Sequence, residues 1–164
     1  MAKPILTAAR LRELFHYEPE TGVFTRLIKK AGNATAGSCA GSINTIGYRQ
    51  IRVDGSNYLG HRLAWLYVHG EWPIGQIDHI DGTRSNNAIG NLRDVSHAVN
   101  QQNRKRAKAN ASASLMGISF SSGRWVAHIS INGKPRYIGR FGTEAQAHSA
   151  YLAAKRLHHE GNTL

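Results

Sequence analysis

The sequence is poor in several things, and each shortage closes off a class of protein. Cysteine occurs once, at Cys39. That removes a disulfide framework and any Cys-x-x-Cys zinc site, and it fits a reducing, intracellular compartment. No apolar run comes near the roughly 20 residues that a membrane-spanning helix needs. The first residues lack the apolar stretch of a secretory signal, so a cytoplasmic protein with no membrane partner is expected. Acidic residues are few, with Asp and Glu numbering 10 against 21 Lys and Arg, a formal net charge of +11. Such an imbalance draws polyanions over long distances but says nothing about fold. The excess is spread along the chain. Residues 1–57 carry eight basic and four acidic groups, 58–108 seven and four, and 115–164 six and two. Every section could therefore touch phosphates, with binding that weakens steeply as salt rises.

What is present divides 164 residues into small modules. Thr7 can cap a helix from Ala8 to Phe15. Tyr17 to Gly22 reads as a turn, Val23 to Leu27 as a strand and 29–42 as a loop. Gly47 to Val53 has strand character, Asp54-Gly55 marks a hairpin, and a return strand begins at Tyr58. A small β-rich module over 1–57 is expected. From His61 to Val68 apolar residues recur at helical spacing. Short strands at 75–80 and 92–95 flank a polar loop, and a helix runs from a Ser96 cap to about Lys108, making a module of 58–108. Residues 109–114 are small and polar, as a linker would be. Beyond it, 115–164 shows three strands, with Ser122-Gly123 and Asn132-Gly133 at the turns, then a helix capped by Thr143. The fold class expected is α+β.

The chemistry concentrates in Ile77-Asp78-His79-Ile80-Asp81-Gly82, with Asn91-Leu92-Arg93, Asn100 and Asn103 downstream. Cutting a phosphodiester needs a base for water and a cation for the charge that develops on phosphoryl oxygen. Histidine suits the first because its ordinary pKa lies near neutrality. A carboxylate and an amide oxygen suit a hard ion such as Mg²⁺ or Mn²⁺. Neighbouring strand residues point to opposite faces. Asp78 could then face the following helix and share an ion with Asn100 or Asn103, while His79 faces outward. Asp81 could touch the ion or merely cap the loop, and His61 could join the site or pack at a helix start.

Residues 61–103 resemble the HNH endonucleases of phages and mobile introns, which have a ββα-metal fold. The matching residues are His61-Arg62-Leu63-Ala64, Asp78-His79-Ile80-Asp81-Gly82, Asn86-Asn87, Asn91-Leu92-Arg93 and Asn100-Gln101-Gln102-Asn103. The resemblance implies His79 as general base, Asp78 and Asn100 as metal ligands, and Asn91 as brace for the loop and the histidine. No structural zinc is expected. Residues 117–151 resemble an AP2 domain, through Arg124-Trp125-Val126-Ala127-His128-Ile129, Asn132-Gly133-Lys134 and Tyr137-Ile138-Gly139-Arg140-Phe141. Arg93, Arg104, Lys105, Arg106, Arg124, His128, Arg136, Tyr137 and Arg140 are the expected contacts to double-stranded DNA. The sequence thus points to a phage or homing-type endonuclease, nicking as a monomer or cutting both strands as a homodimer. The competing class is a DNA-binding protein without catalysis, a regulator or packaging accessory.

Overall fold

The computed structural model describes residues 5–29, 35–102 and 115–159. It has four α-helices and four small antiparallel sheets among those residues, a mixed α and β architecture. The chain falls into two compact units, Met1–Ser96 and His97–Leu164.

In the first unit, helix α1 (Ala8–Leu14) is capped by Thr7, whose hydroxyl accepts from the Arg10 amide. It runs directly into strand β1 (Phe15–Glu18), which pairs with β2 (Val23–Arg26). Strand β1 falls where a turn was expected, and the turn is confined to 19–22. A second sheet places β4 (Arg49–Val53) between β3 (Ser42–Ile43) and β5 (Ser56–Leu59). Asp54 and Gly55 join β4 to β5 with φ of 44° and 81°, both left-handed, as a two-residue hairpin requires. Helix α2 (Gly60–His69) follows at once and ends on left-handed Gly70. Strands β6 (Gln76–His79) and β7 (Leu92–Val95) form the third sheet, with a single 3-10 turn at Ile89–Asn91 before β7.

The division expected between 57 and 58 is not where the packing divides. One core runs from Leu6 through Leu11, Phe24, Ile51 and Val53 to Leu63, Leu66, Ile77 and Leu92. The apolar faces of α1 and α2 are too small to be buried separately, so the β-rich section and the strands carrying Asp78 and His79 fold around the same side chains.

Two long-range contacts tie the N-terminal turn to the polar loop after β6. The buried Tyr17 hydroxyl donates to the Asn87 carbonyl at 2.8 Å, and the Ile89 amide donates to the Pro19 carbonyl at 2.9 Å. Gly22, at φ 72°, lies so close that a Cβ there would stand 2.2 Å from the Asn87 carbonyl carbon. Glycine is required at this point twice over, by backbone conformation and by space.

The second unit begins with α3 (His97–Gln102) and contains β8 (Ile118–Ser121), β9 (Arg124–Ile131), β10 (Lys134–Phe141) and α4 (Glu144–His158). Ser122-Gly123 and Asn132-Gly133 are both left-handed pairs at the hairpin turns. The central strand β9 turns Ala127 and Ile129 toward Ala147 and Tyr151 of α4. Val126 was expected to face outward with Arg124 and His128; it alternates to that face but is buried there at 8 % exposure, between neighbours on both flanking strands. Among the described residues, no helix is long and apolar enough to cross a membrane.

Replacing Gly22 with alanine should destabilise the protein by about 2–4 kcal/mol, because strain and overlap with backbone add. Gly37→Ala is the control: its φ is also left-handed, at 80°, but nothing lies within 4 Å of the added carbon. It should cost only about 1–2 kcal/mol. Urea unfolding of both variants checks this, and equal losses would contradict the close approach at Asn87.

Candidate functional site

The two residues at the end of β6 point to opposite faces, and their surroundings differ. Asp78 is directly opposite Arg93 on β7. The Arg93 Nε and Nη2 both reach Asp78 Oδ2, at 2.9 and 2.7 Å, and the carboxylate is almost fully buried. Arg93, a candidate DNA-phosphate contact, is engaged with the carboxylate across the ladder. A cross-strand pair of opposite charge is the simplest arrangement for these two positions.

His79 was expected to face outward. It lies instead on the core side with Ile77, at 4 % exposure. The reason is the shared core: α2 and the β3–β5 sheet cover that face. Its ring centre is 5.1 Å from that of His61 and 5.9 Å from that of Tyr48, while Tyr48 and His61 are 5.1 Å apart. His79 Nε2 lies 3.2 Å from Asn87 Oδ1. An amide oxygen can only accept, so Nε2 carries the hydrogen and Nδ1 is the basic nitrogen. Burial pushes the His79 pKa below its ordinary value and the Arg84 charge adds to this; the Asn87 hydrogen bond and the Asp81 and Asp78 charges oppose it. The ring is neutral near pH 7, the state in which imidazole can take a proton.

The bracing roles divide between two asparagines. Asn91 holds the loop: its Oδ1 accepts from the Asp81 amide at 2.9 Å, and its Nδ2 donates to Asp81 Oδ1 and to the Asn86 carbonyl. The hydrogen bond to the His79 ring comes from Asn87, although Asn91 was expected to serve both. Asn87 is 1 % exposed, and its Nδ2 is buried without a hydrogen-bond partner. Gly60 makes room for it, since a Cβ there would lie 2.7 Å from that Nδ2. The only hint in the sequence was the Asn86-Asn87 doublet.

Asp81 accepts from the Thr83 amide, Asn86 Nδ2 and Asn91 Nδ2. Desolvation alone would raise its pKa, but the hydrogen bonds from Asn86, Thr83 and Asn91 together bring it to about 2. These contacts favour the loop-capping role of the two that the sequence left open. His61 belongs to the ring cluster around His79. Burial, with smaller contributions from His79 and Arg62, lowers its pKa to about 3, and its Nδ1 has no hydrogen-bond partner.

Asn100 lies on α3, at the start of the second unit. Asn103, Arg104, Lys105 and Arg106 lie outside the described residues. In the second unit, residues directly paired across β8–β10 share a face. Arg124, His128, Tyr137 and Arg140 fall on the side away from α4; Tyr137 pairs with His128, and Arg140 with Val126. His128 Nε2 lies 3.0 Å from Ser119 Oγ on that same side. Arg136 does not join them. It pairs with Ile129, which is buried against α4, because the bulge at Ile138 shifts the register between Tyr137 and Gly139.

This geometry can now be set beside known proteins. Residues 58–102 match the family model described as HNH endonuclease, which supports an HNH nuclease. The stretch covers the end of β5, then α2, β6, the polar loop, β7 and α3. The chain is also 39 % identical over 77 residues to Protein 3.8 of Escherichia phage T7. That similarity covers 45 % of this chain and 63 % of the phage protein, so the chain spans somewhat less than two thirds of its relative's length. No solved structure matches significantly.

The lowered His61 pKa makes stability depend on pH in a definite direction. The folded state resists a proton that the unfolded chain accepts below the ordinary value of 6.5. The stabilising effect is therefore complete above 6.5 and is lost as pH falls from there toward 3. Between pH 7 and pH 5 the wild type should lose about 2 kcal/mol more than His61→Leu. Urea unfolding at both pH values measures the difference, and identical losses would contradict it.

Proposed function

We propose that this protein is a metal-dependent endonuclease acting on double-stranded DNA. The observation that carries the reading is the buried His79, fixed by Asn87 on one face of β6, with the Asp78 carboxylate one residue away on the other. It lies within the residues that match the HNH endonuclease family.

In this reading His79 is the general base. Its Nε2–H donates to Asn87, and Nδ1 is the nitrogen that would take the proton from the attacking water. Asp78 is the ligand that the first unit offers a divalent ion, and its orientation is set by Arg93. Asn100 is the second ligand on the sequence resemblance alone. Carboxylate and amide oxygens suit a hard ion such as Mg²⁺ or Mn²⁺, which keeps several waters. No group of three or more His, Cys, Asp or Glu is placed to hold a metal among the described residues. When bound, the ion would act as a Lewis acid and neutralise charge on the phosphoryl group. The face of the C-terminal sheet bearing Arg124, His128, Tyr137 and Arg140 would hold the DNA backbone, as in the AP2 domains this part resembles. A single site of this kind nicks one strand per encounter; a homodimer would cut both.

Supercoiled plasmid incubated with Mg²⁺ or Mn²⁺ should be nicked by the wild type. His79→Ala should lower the rate by about 10²-fold or more, the usual contribution of a general base. A wild type that never nicks, with either ion, contradicts the nuclease reading and leaves DNA binding without catalysis. Nicking that survives His79→Ala contradicts the assignment of the base.

A further inference from the structure

The proposed base has a charged neighbour that neither the motif nor the family match accounts for. Arg84 lies in the polar loop after β6. Its guanidinium donates from Nη1 to the Ile46 carbonyl at 2.7 Å and stands 5.2 Å from the centre of the Tyr48 ring. The other contacts of that ring are His61 at 5.1 Å and His79 at 5.9 Å. One aromatic ring therefore touches both a positive charge and the histidine.

The platform under Arg84 is built to stay in place. Asn44 Oδ1 accepts from the amides of Ile46 and Tyr48, at 3.2 and 2.9 Å, and the Asn44 amide donates to the Tyr48 carbonyl at 2.8 Å. These bonds close the turn between β3 and β4 around left-handed Gly47. Arg84 runs alongside this turn: a Cβ at Gly47 would be in ordinary van der Waals contact with Arg84 Cδ, at 3.8 Å.

What Arg84 does not do is equally informative. It is exposed, and no carboxylate pairs with it among the described residues, whereas Arg10 and Arg93 each hold an aspartate. Among the described residues, its guanidinium meets one neutral carbonyl and one aromatic ring. A guanidinium has five N–H donors in a planar fork that matches phosphate oxygens. This one is held by groups that leave its charge uncompensated, next to the residue that would act on a phosphodiester.

We propose that Arg84 is a phosphate-binding residue of the active site, gripping the DNA backbone beside His79, and that Tyr48 is the positioning residue that sets its distance from the base. The inference rests on the reading of this face as a DNA-cutting site. It also gives the β3–β4 turn a role in that site beyond supporting the core.

The test is the salt dependence of binding to a fluorescently labelled mixed-sequence duplex in EDTA, so that no cutting occurs. One lost phosphate contact should reduce the slope of log K against log salt by about 0.9. Arg84→Ala should show that reduction, Arg84→Lys should retain the wild-type slope because the charge remains, and neither should shift the melting temperature. In Mg²⁺, Arg84→Ala should also slow plasmid nicking at saturating DNA by about tenfold or more, as expected when a donor to a charged transition state is removed. An unchanged slope in Arg84→Ala overturns the proposal, whatever nicking does. A reduced slope in a protein whose wild type never nicks keeps the phosphate contact and removes the nuclease reading instead, so the two failures are distinguishable.

Discussion

The arrangement of the site depends on one buried amide, that of Asn87. Its side-chain oxygen takes the hydrogen bond from His79, and its backbone carbonyl receives the Tyr17 hydroxyl. Its backbone packs under Gly22, and its amide nitrogen lies over Gly60. The Tyr17–Gly22 segment, the start of α2 at Gly60 and the end of β6 thus meet at one residue. A buried amide with an unsatisfied N–H costs about 1–3 kcal/mol, so an apolar side chain would serve packing better. A polar group at this depth is explained by the imidazole it holds: it selects the tautomer and fixes the ring, and both must be set before a histidine can act as base.

Strand β6 then separates two electrostatic environments by one residue. On one face Asp78 meets Arg93, a charged pair across the ladder. On the other, His79 meets neutral groups: an amide, a second imidazole kept neutral by burial, and a phenol. Two titratable groups so close in sequence would ordinarily perturb each other strongly. The pleat of the strand puts them on different sides, and the Asp78 charge is a smaller influence on the His79 pKa than burial, which lowers it.

Much of this was legible in the sequence where the signal is local. The left-handed pairs Asp54-Gly55, Ser122-Gly123 and Asn132-Gly133 declare their hairpins because few residues tolerate that backbone. The caps at Thr7 and Thr143 are equally local. The Asp78-His79 pair, with its asparagines downstream, marked the chemistry. Contacts between distant residues were not legible. Nothing near Tyr17 says that its hydroxyl will meet a carbonyl 70 positions away, so the Tyr17–Gly22 segment read only as a turn, without its contact to the site loop. Nothing near Arg84 announces the Ile46 carbonyl. His79 was turned the wrong way because strand alternation gives two faces without saying which is covered. The shared core decides that, and it forms from segments the sequence had divided at residue 57.

The claim at the centre of this account is that a neutral, buried His79 removes the proton from water. Its most direct measure is the pH profile of single-turnover plasmid nicking at saturating Mg²⁺. Burial lowers the histidine pKa, so the base stays unprotonated as pH falls through the ordinary value of 6.5. The rate should hold level through that value and decline only below it. A decline centred at or above 6.5, or a profile that His79→Ala leaves unchanged in shape, would contradict the account.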